Sequence, residues 1–174
     1  MKPFRSIPRI LKINEVNGYE LSLLFNNGES RIVNLKSFLV DKLGKVEGKI
    51  GYELIDNQDL VKQVKIIGTT IGWEEIGRKL TDAEGNKIFY PFDLDPLMLY
   101  DFSGSDESRK LQVGLKIKSA RLEKGMTQKE LAEKSGTTKY YISRIENDKS
   151  DIELQTLKKI VEAGLGKELT LEIK

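Results

Sequence analysis

The segment Met126–Asn147 reads MTQKELAEKSGTTKYYISRIEN, and it decides the fold of the C-terminal part of the chain. Thr127 has the hydroxyl of a good N-cap, and Glu130, three residues later, completes a capping box. The helix that begins there is predicted to end at Gly136, because glycine readily takes the left-handed backbone conformation that ends helices. Thr137 is then expected to cap a second helix. The segment therefore predicts two short helices joined by a tight turn.

The two helices have distinct inner and outer faces. The first places Leu131 and Ala132 inward. The second repeats Thr138, Ile142 and Ile145 at the spacing of one buried helical face. The opposite face carries hydrogen-bonding side chains, namely Tyr140, Ser143, Arg144 and Asn147, with Lys139 and Tyr141 at its flanks. A face exposed only to solvent does not need such a row, whereas a helix in a DNA major groove can use each of its members.

The segment from about Leu115 to Leu165 resembles the lambda-repressor-like, or xenobiotic-response-element, helix-turn-helix family. The matching residues are Arg121, Gly125, Thr127-Gln128, Leu131-Ala132, Gly136, Ile142 and Arg144-Ile145-Glu146-Asn147. The resemblance implies that helix 138–146 enters the major groove while the preceding helix crosses the DNA backbone, and that a dimer reads two half-sites. The alternative is a helical hairpin that binds nothing.

The resemblance also implies roles for individual residues. The candidates for base reading are Thr138, Lys139, Tyr140, Ser143 and Arg144, with Arg144 placed for a bidentate contact with guanine. The candidates for phosphate contacts are Gln128, Asn147 and Lys149. Arg121 and Glu146 match positions that pair in the family, and they are expected to brace the helices against each other. The alternatives are partial packing for Tyr140 and an ordinary surface ion pair for Arg121 with Glu146.

The composition favours a binding protein over an enzyme. The 174 residues include no Cys and no His, which removes thiolate nucleophiles, imidazole bases and the usual zinc ligands. We therefore expect no catalytic site, no metal site and no cofactor. Residues 105–174 hold 15 Lys and Arg against 12 Asp and Glu, whereas residues 1–104 hold 14 against 15. The positive charge thus lies with the motif, as phosphate binding requires.

The sequence lacks membrane and export signals. No apolar run has the length of a transmembrane helix, and Met1-Lys2-Pro3-Phe4 is not followed by the apolar stretch of a signal peptide. A cytoplasmic location without membrane partners is expected.

Residues 1–102 predict a small α+β domain built on an antiparallel sheet. Strands are expected at residues 7–14, 19–25, 31–35, 64–67, 69–73 and 88–90. Helices are expected at residues 35–43 and 52–60 and from Asp95-Pro96 onward, where aspartate caps and proline begins the helix. The strongest local signal is Asn26-Asn27-Gly28-Glu29, which predicts a hairpin closed by a tight primed turn with positive φ angles.

This N-terminal part resembles a small, uncharacterised bacterial domain family through its opening hairpin, Thr70–Trp73 and Asp93–Pro96, although residues 77–92 depart from it. Members occur alone or fused to helix-turn-helix domains, which implies an accessory role. The aromatic residues Trp73, Tyr90, Phe92 and Tyr100 are expected to form core or interface in preference to a ligand pocket. Capping accounts for Asp95 without a cation site.

Residues 103–107, small and polar, predict a linker to a domain at 108–174. A helix from about Ser108 to Lys124 is expected to bury Leu111, Leu115 and Leu122, with Ile117 and Ala120 near the same stripe. Another helix, with Leu154, Leu157, Ile160 and Val161 on one face, follows the motif. In residues 168–174, apolar and polar side chains alternate, which predicts a strand that pairs with a second subunit or packs on the N-terminal sheet.

These features predict a sequence-specific DNA-binding transcriptional regulator, acting as a repressor and a homodimer on double-stranded DNA. The fold is expected to be an α+β N-terminal domain followed by an all-α helix-turn-helix domain with a terminal strand. The alternative is an antitoxin whose N-terminal domain binds a toxin or another protein, with DNA binding that is autoregulatory. A toxin gene beside this one would favour the antitoxin, and an isolated gene would favour the plain regulator.

Overall fold

A computed structural model describes residues 7–44 and 47–173 and divides the chain into two compact units, Met1–Lys110 and Leu111–Lys174. The first unit consists of antiparallel sheets with short helices, and the second is helical. The predicted fold class, an α+β part followed by a helix-turn-helix part, is confirmed in this arrangement.

The first unit contains seven strands and three α-helices among its described residues. The strands are β1 (Ile10–Asn17), β2 (Glu20–Phe25), β3 (Ser30–Asn34), β4 (Lys65–Ile67), β5 (Thr70–Thr81), β6 (Lys87–Asp93) and β7 (Gly104–Ser105). The helices are α1 (Leu35–Leu43), α2 (Gln58–Val61) and α3 (Pro96–Phe102), with 3-10 turns at Tyr52–Leu54 and Glu107–Arg109. One sheet has the order β1-β2-β3-β7 and the other β4-β5-β6.

Local capping signals account for several boundaries. α1 covers the predicted residues, because the Asn34 side chain accepts a hydrogen bond from the Ser37 amide at its first turn. Asp95 caps α3 and Pro96 is its first residue, as predicted. The β2–β3 hairpin also forms where expected, but Asn27 does not have a positive φ and Gly28 does. The turn is therefore a three-residue loop closed by a glycine, not a two-residue primed turn.

β5 and β6 are longer than the sequence indicated. β4 pairs with β5 only over Thr70–Gly72, and the register of β5 against β6 then shifts between Trp73 and Gly77. Beyond this irregularity, residues 77–81 pair with residues 87–91 as a two-stranded ribbon. The predicted pair of short strands forms as β4 and the start of β5, and a bulge then lets β5 continue into a long hairpin with β6.

The core of the first unit lies between the sheets and the short helices. Trp73 is 1% exposed and its indole nitrogen donates to the Leu60 carbonyl at 2.9 Å. Tyr100 is buried with its ring edge-on to Phe25, at 5.1 Å between centroids. Each buried side chain of this size stabilises the fold by about 1.5–3 kcal/mol. Trp73 and Tyr100 are therefore core residues, as the sequence analysis expected.

Within the predicted linker at residues 103–107, Gly104–Ser105 form a strand of the first unit's sheet and Glu107 begins a 3-10 turn. β7 pairs with β3, and the buried Asp106 accepts hydrogen bonds from the hydroxyls of Ser22, at 2.5 Å, and Ser108, at 2.6 Å. These hydrogen bonds, that of Ser108 foremost, hold the pKa of Asp106 below its ordinary value. Small polar residues can hydrogen-bond the backbone groups of a sheet edge as readily as they can form a linker. Composition alone therefore does not distinguish an edge strand from a linker.

The second unit contains α4 (Val113–Glu123), α5 (Gln128–Ser135), α6 (Lys139–Glu146) and α7 (Leu154–Lys158), which continues as a π-helical segment at Lys159–Gly164. Its core comprises Ile117, Leu131, Ala132, Ile142, Ile145, Ile160 and Leu165. Among the described residues, the helices lack the length and apolar character needed to cross a bilayer.

Three predictions for this unit are corrected. α4 begins at Val113, not at Ser108, because Gln112 has a φ of 50° and interrupts the helical backbone. Of the predicted buried stripe, Leu111, Leu115 and Leu122 are exposed, whereas Ile117 is buried and Ala120 is half-buried against the core. Gly114 and Arg121 also face inward. Residues 168–173 have no regular secondary structure in the single chain, so the predicted strand is not formed there, and Lys174 lies outside the described residues.

Candidate nucleic-acid interface

The first helix of the motif forms as its sequence predicts. The Thr127 hydroxyl accepts from the Glu130 amide at 3.2 Å, and the Glu130 carboxylate accepts from the Thr127 amide at 2.7 Å. α5 ends at Gly136, which has a φ of 64° and donates its amide to the last turn. The capping box and the left-handed glycine therefore fix both ends of α5.

The second helix begins one residue later than predicted. Thr138, and not Thr137, is its N-cap, with the hydroxyl accepting from the Tyr141 amide at 3.1 Å. Thr138 is consequently exposed and does not belong to the buried face, which consists of Ile142 and Ile145. Capping satisfies an otherwise unpaired amide of the first turn, which is why the polar threonine takes this position.

Two glycines let the surrounding helices approach the motif closely. A Cβ atom on Gly114 would lie 2.1 Å from the Ile145 carbonyl oxygen, so α4 and α6 are in backbone contact at this point. A Cβ atom on Gly164 would lie 2.7 Å from the Leu131 side chain of α5. The outer face of α6 is therefore supported by close packing on its inner side.

Arg121 and Glu146 form the predicted brace. Arg121 Nε lies 2.6 Å from Glu146 Oε1 and Nη2 lies 2.9 Å from Oε2, with side-chain exposures of 8% and 1%. Arg121 also donates to the Met126 carbonyl at 2.6 Å. The pair is therefore buried and bidentate, which excludes the alternative of an ordinary surface pair.

The electrostatics of the brace favour its ionised form. Burial raises the pKa of Glu146, but hydrogen bonds from Arg121 and Gln128 outweigh it and leave that pKa below its ordinary value. The hydrogen bond with Glu146 raises the pKa of Arg121. Both groups are therefore charged at neutral pH. Each charge offsets the desolvation cost of the other, which a lone buried charge could not do.

The base-reading candidates lie along the outer side of α6 and at its start. Tyr140 is 71% exposed, Lys139 is exposed, and Ser143 and Arg144 are half-buried. Thr138 precedes them as the cap. The structure therefore brings all five candidates to one helix, from its N-cap to its last turn, with Thr138, Lys139 and Tyr140 exposed at its start.

Arg144 is held by residues that follow the helix. Its Nε donates to the Ser150 hydroxyl at 2.7 Å, and its Nη2 donates to the Lys149 carbonyl. Its Nη1 donates to the Tyr140 hydroxyl at 3.3 Å, and its guanidinium carbon lies 5.6 Å from the centre of that ring. No sequence pattern indicated Ser150, because the contact depends on a loop in which Asp148 has a φ of 53°.

The phosphate candidates differ in how accessible they are. Gln128 Nε2 donates to Glu146 at 2.9 Å, which makes this side chain a third member of the brace. The Asn147 side chain donates back to the Ser143 carbonyl at 2.7 Å and closes the end of α6. Lys149 is exposed in the next loop. Phosphate contacts by all three stay predictions.

Comparisons with known proteins bear on the second unit. Residues 117–164 match a family model described as helix-turn-helix. Among solved structures, the wild-type restriction-modification controller protein C.Esp1396I is 42% identical, covering 33% of this chain and 74% of its own, with a TM-score of 0.32. The same controller protein has been crystallised as a tetramer with its natural 35 base-pair operator. That structure is also 42% identical, with a TM-score of 0.32, and the match covers 33% of this chain and 74% of the controller protein.

A longer likeness, at lower sequence identity, covers both units. Protein NE0471 from Nitrosomonas europaea covers 88% of this chain and 84% of its own, at 13% identity and a TM-score of 0.34. Values this low carry no argument about function. The comparison with curated proteins found no match.

Proposed function

We propose, from the match of residues 117–164 to a helix-turn-helix family model, that the chain is a sequence-specific DNA-binding transcriptional regulator. In this proposal α6 lies in the major groove and α5 crosses the phosphate backbone. The observation that carries it is the outer face of α6, where Lys139, Tyr140 and Arg144 stand opposite a face that the core holds in place. A preorganised helix of this kind reads base edges without further ordering.

We assign the leading base-reading roles to Lys139 and Tyr140. Both are exposed in the first turn of α6, the part of a recognition helix that reaches base edges. Lys139 offers donors to guanine, and the Tyr140 ring is placed to contact a thymine methyl group. Thr138 and Ser143 are secondary candidates, since one caps the helix and the other is half-buried.

Arg144 has two possible functions that the structure makes distinguishable. As a base reader it must exchange its contacts with Ser150 and the Lys149 carbonyl for guanine O6 and N7. As a loop anchor it keeps those contacts and positions the Lys149 amine near a phosphate. The first function gives specificity at one base pair, and the second gives affinity without specificity.

A dimer and repression are further parts of the proposal. One helix-turn-helix unit contacts a short site, so two copies on half-sites about 34 Å apart are expected. An antitoxin function for the first unit stays the alternative. Co-purification of the chain with the product of an adjacent toxin-like gene, and loss of that product's toxicity, is the observation that would favour it.

The test is selection of binding sites from a random DNA library by the full chain, followed by titration of the selected duplex and a scrambled duplex. We expect tighter binding to the selected duplex and a marked loss of affinity between about 50 and about 200 mM salt. Lys139→Ala and Tyr140→Ala should each lose about 1–3 kcal/mol on the selected duplex and little on the scrambled one.

The same titrations separate the two functions of Arg144. If Arg144 reads a base, Arg144→Ala relaxes selection at one position, whereas Ser150→Ala leaves the selected sequence unchanged. If Arg144 anchors the loop, both variants weaken binding to all sequences alike. Lys116→Ala, at an exposed position of α4, is the matched control and should bind as the wild type does. Failure to enrich any sequence, with equal binding of all variants, would refute the proposal.

A further inference from the structure

β6 is the edge strand of its sheet and its sequence, KIFYPFD, is apolar between its two ends. Ile88, Phe89 and Tyr90 are 41%, 41% and 48% exposed. Leu80, opposite Ile88 on β5, is 43% exposed. Within the described part of the first unit, no strand pairs with the outer side of β6. This run of exposed apolar side chains on a sheet edge is unusual, because edge strands are commonly short or charged.

The outer half of the hairpin has little support from the rest of its sheet. β4 reaches only Gly72, so residues 77–81 of β5 have β6 as their one neighbouring strand among the described residues. A two-stranded ribbon is marginally stable in water, and a third strand on a hydrophobic face stabilises it. The ribbon therefore has both the free backbone groups and the apolar surface that strand addition uses.

The charges at the ends of β6 indicate which strand fits. Lys87 begins the strand and Asp93 ends it, and both side chains are exposed. Neither side chain makes a hydrogen bond or ion pair with any residue that the structure describes. A second β6 laid antiparallel about Tyr90 sets Lys87 against Asp93 at both ends and leaves only apolar residues between. The strand is thus complementary to itself in charge and in apolar character.

We propose that β6 pairs with β6 of a second copy of this chain, antiparallel and about a two-fold axis at Tyr90. The two copies then share a continuous six-stranded sheet, made of β4, β5 and β6 from each. The paired strands bury the exposed Ile88, Phe89 and Tyr90 side chains of both copies. This interface lies in the first unit and does not depend on the second unit's binding to DNA.

Charge also fixes the register of the pairing. A slip of two residues in one direction places Lys87 opposite Pro91 and Asp93 opposite a residue before the strand. In the other direction, Asp93 lies opposite Phe89, and Lys87 lies opposite Asp95, which is outside the strand and caps α3. Either slip removes the two Lys87–Asp93 pairs of the symmetric dimer. Pro91 lacks an amide proton, but in the proposed register it faces Phe89 and removes one donor per strand at most. The lysine at the strand's start also opposes uncontrolled extension of the sheet.

The test is the mass of the full chain in sedimentation equilibrium, without DNA, for the wild type and charge-reversed variants. Lys87→Glu sets two carboxylates against each other at each end, and Asp93→Lys sets two ammonium groups there. We expect either single change to weaken self-association by at least about tenfold, since each occurs twice in a symmetric interface. The double variant restores opposite charges and should recover association to within about threefold of the wild type.

Lys79→Glu provides the matched control, because it reverses an exposed lysine of the same ribbon that lies on β5 and not on the edge strand. It should leave the mass unchanged. Circular dichroism spectra establish that each variant is folded. A wild type that stays monomeric at about 100 μM, a range in which stable dimers associate, overturns the proposal. Single reversals that leave the mass unchanged, or a double variant that does not recover, also overturn it.

Discussion

The guanidinium of Arg121 and the carboxylate of Glu146 form a bidentate ion pair that joins α4 to the last residue of α6. The Met126 carbonyl and the Gln128 side chain complete its hydrogen bonds, so the pair also reaches the start of α5. Three segments of the second unit thus meet at one buried, fully bonded cluster. Because α6 is held at its end by this cluster, the orientation of its outer face is set before any DNA is present.

Replacement of Arg121 with methionine should destabilise the second unit by about 3–5 kcal/mol, because Glu146 is left buried without its cation. The double variant Arg121→Met/Glu146→Leu should recover much of that loss, since no charge then remains to be solvated. Urea denaturation followed by far-ultraviolet circular dichroism measures both. The exposed pair of Lys167 and Glu123, at 3.0 Å, is the control, and Lys167→Met should cost less than about 1 kcal/mol. Equal losses at the two sites would contradict a buried brace.

Glu146 should make the second unit less stable in acid. Its folded pKa lies below the ordinary value of about 4.3, so its ionised form contributes fully above that value. The contribution is lost as the pH falls from about 4.3 through the folded pKa. Glu146→Gln should therefore be less stable than the wild type at about pH 7, with a difference that narrows by about pH 3. Glu123→Gln, on the surface, should show no such narrowing, and a constant difference for Glu146→Gln would contradict the assignment.

Gly114→Ala should destabilise the second unit although alanine is the better helix former by up to about 1 kcal/mol. The added methyl group would lie 2.1 Å from the Ile145 carbonyl oxygen, so α4 and α6 must separate. We expect a net loss of at least about 2 kcal/mol in thermal or urea denaturation. Gly104→Ala meets no atom within 4 Å and should change stability by less than about 1 kcal/mol. An unchanged Gly114→Ala variant would show that the helices are not in backbone contact.

The segment 103–107 should behave as folded sheet in hydrogen exchange. The Asp106 amide donates to the Ser30 carbonyl at 2.9 Å, and the Asp106 carboxylate is held by Ser22. We therefore expect slow exchange of the Asp106 amide, as slow as that of neighbouring strand residues. Ser22→Ala should accelerate it by removing one of those hydrogen bonds, whereas Ser37→Ala, on α1, should not. Immediate exchange of Asp106 in the wild type would restore the linker interpretation.

Deletion of residues 168–174 tests the predicted role of the C-terminal segment. If its alternating pattern forms a strand with a second subunit, the deletion should halve the mass measured by sedimentation. If β6 makes the interface, the deletion should leave the mass unchanged while the charge reversals at Lys87 and Asp93 halve it. Mutation of Leu171 and Ile173 to serine is the milder form of the same test, because both side chains are exposed in the single chain. An unchanged mass in both forms removes the tail from the interface.

The sequence by itself determined the features that depend on a few neighbouring residues. The capping box of Thr127 with Glu130, the left-handed Gly136 and the Asp95-Pro96 helix start were all predictable, because each satisfies backbone groups within one helical turn. The Arg121–Glu146 pair was also anticipated, although only through the family resemblance. Local chemistry therefore sufficed for the motif and for the class of fold.

Tertiary structure decided which side chains are buried and which residues far apart in the sequence form hydrogen bonds. Leu115 has the spacing of a core residue but is exposed, because Gly114 is the residue that lets α4 approach α6. From the sequence, Arg144 is expected to be free to contact a base. In the structure it donates to Ser150, which lies in a loop whose path no local rule specifies. The buried Asp106 accepts a hydrogen bond from Ser22, which is 84 positions away in the chain. Burial and pairing at such separations depend on the packing of whole elements, whereas caps and turns depend on the residues beside them.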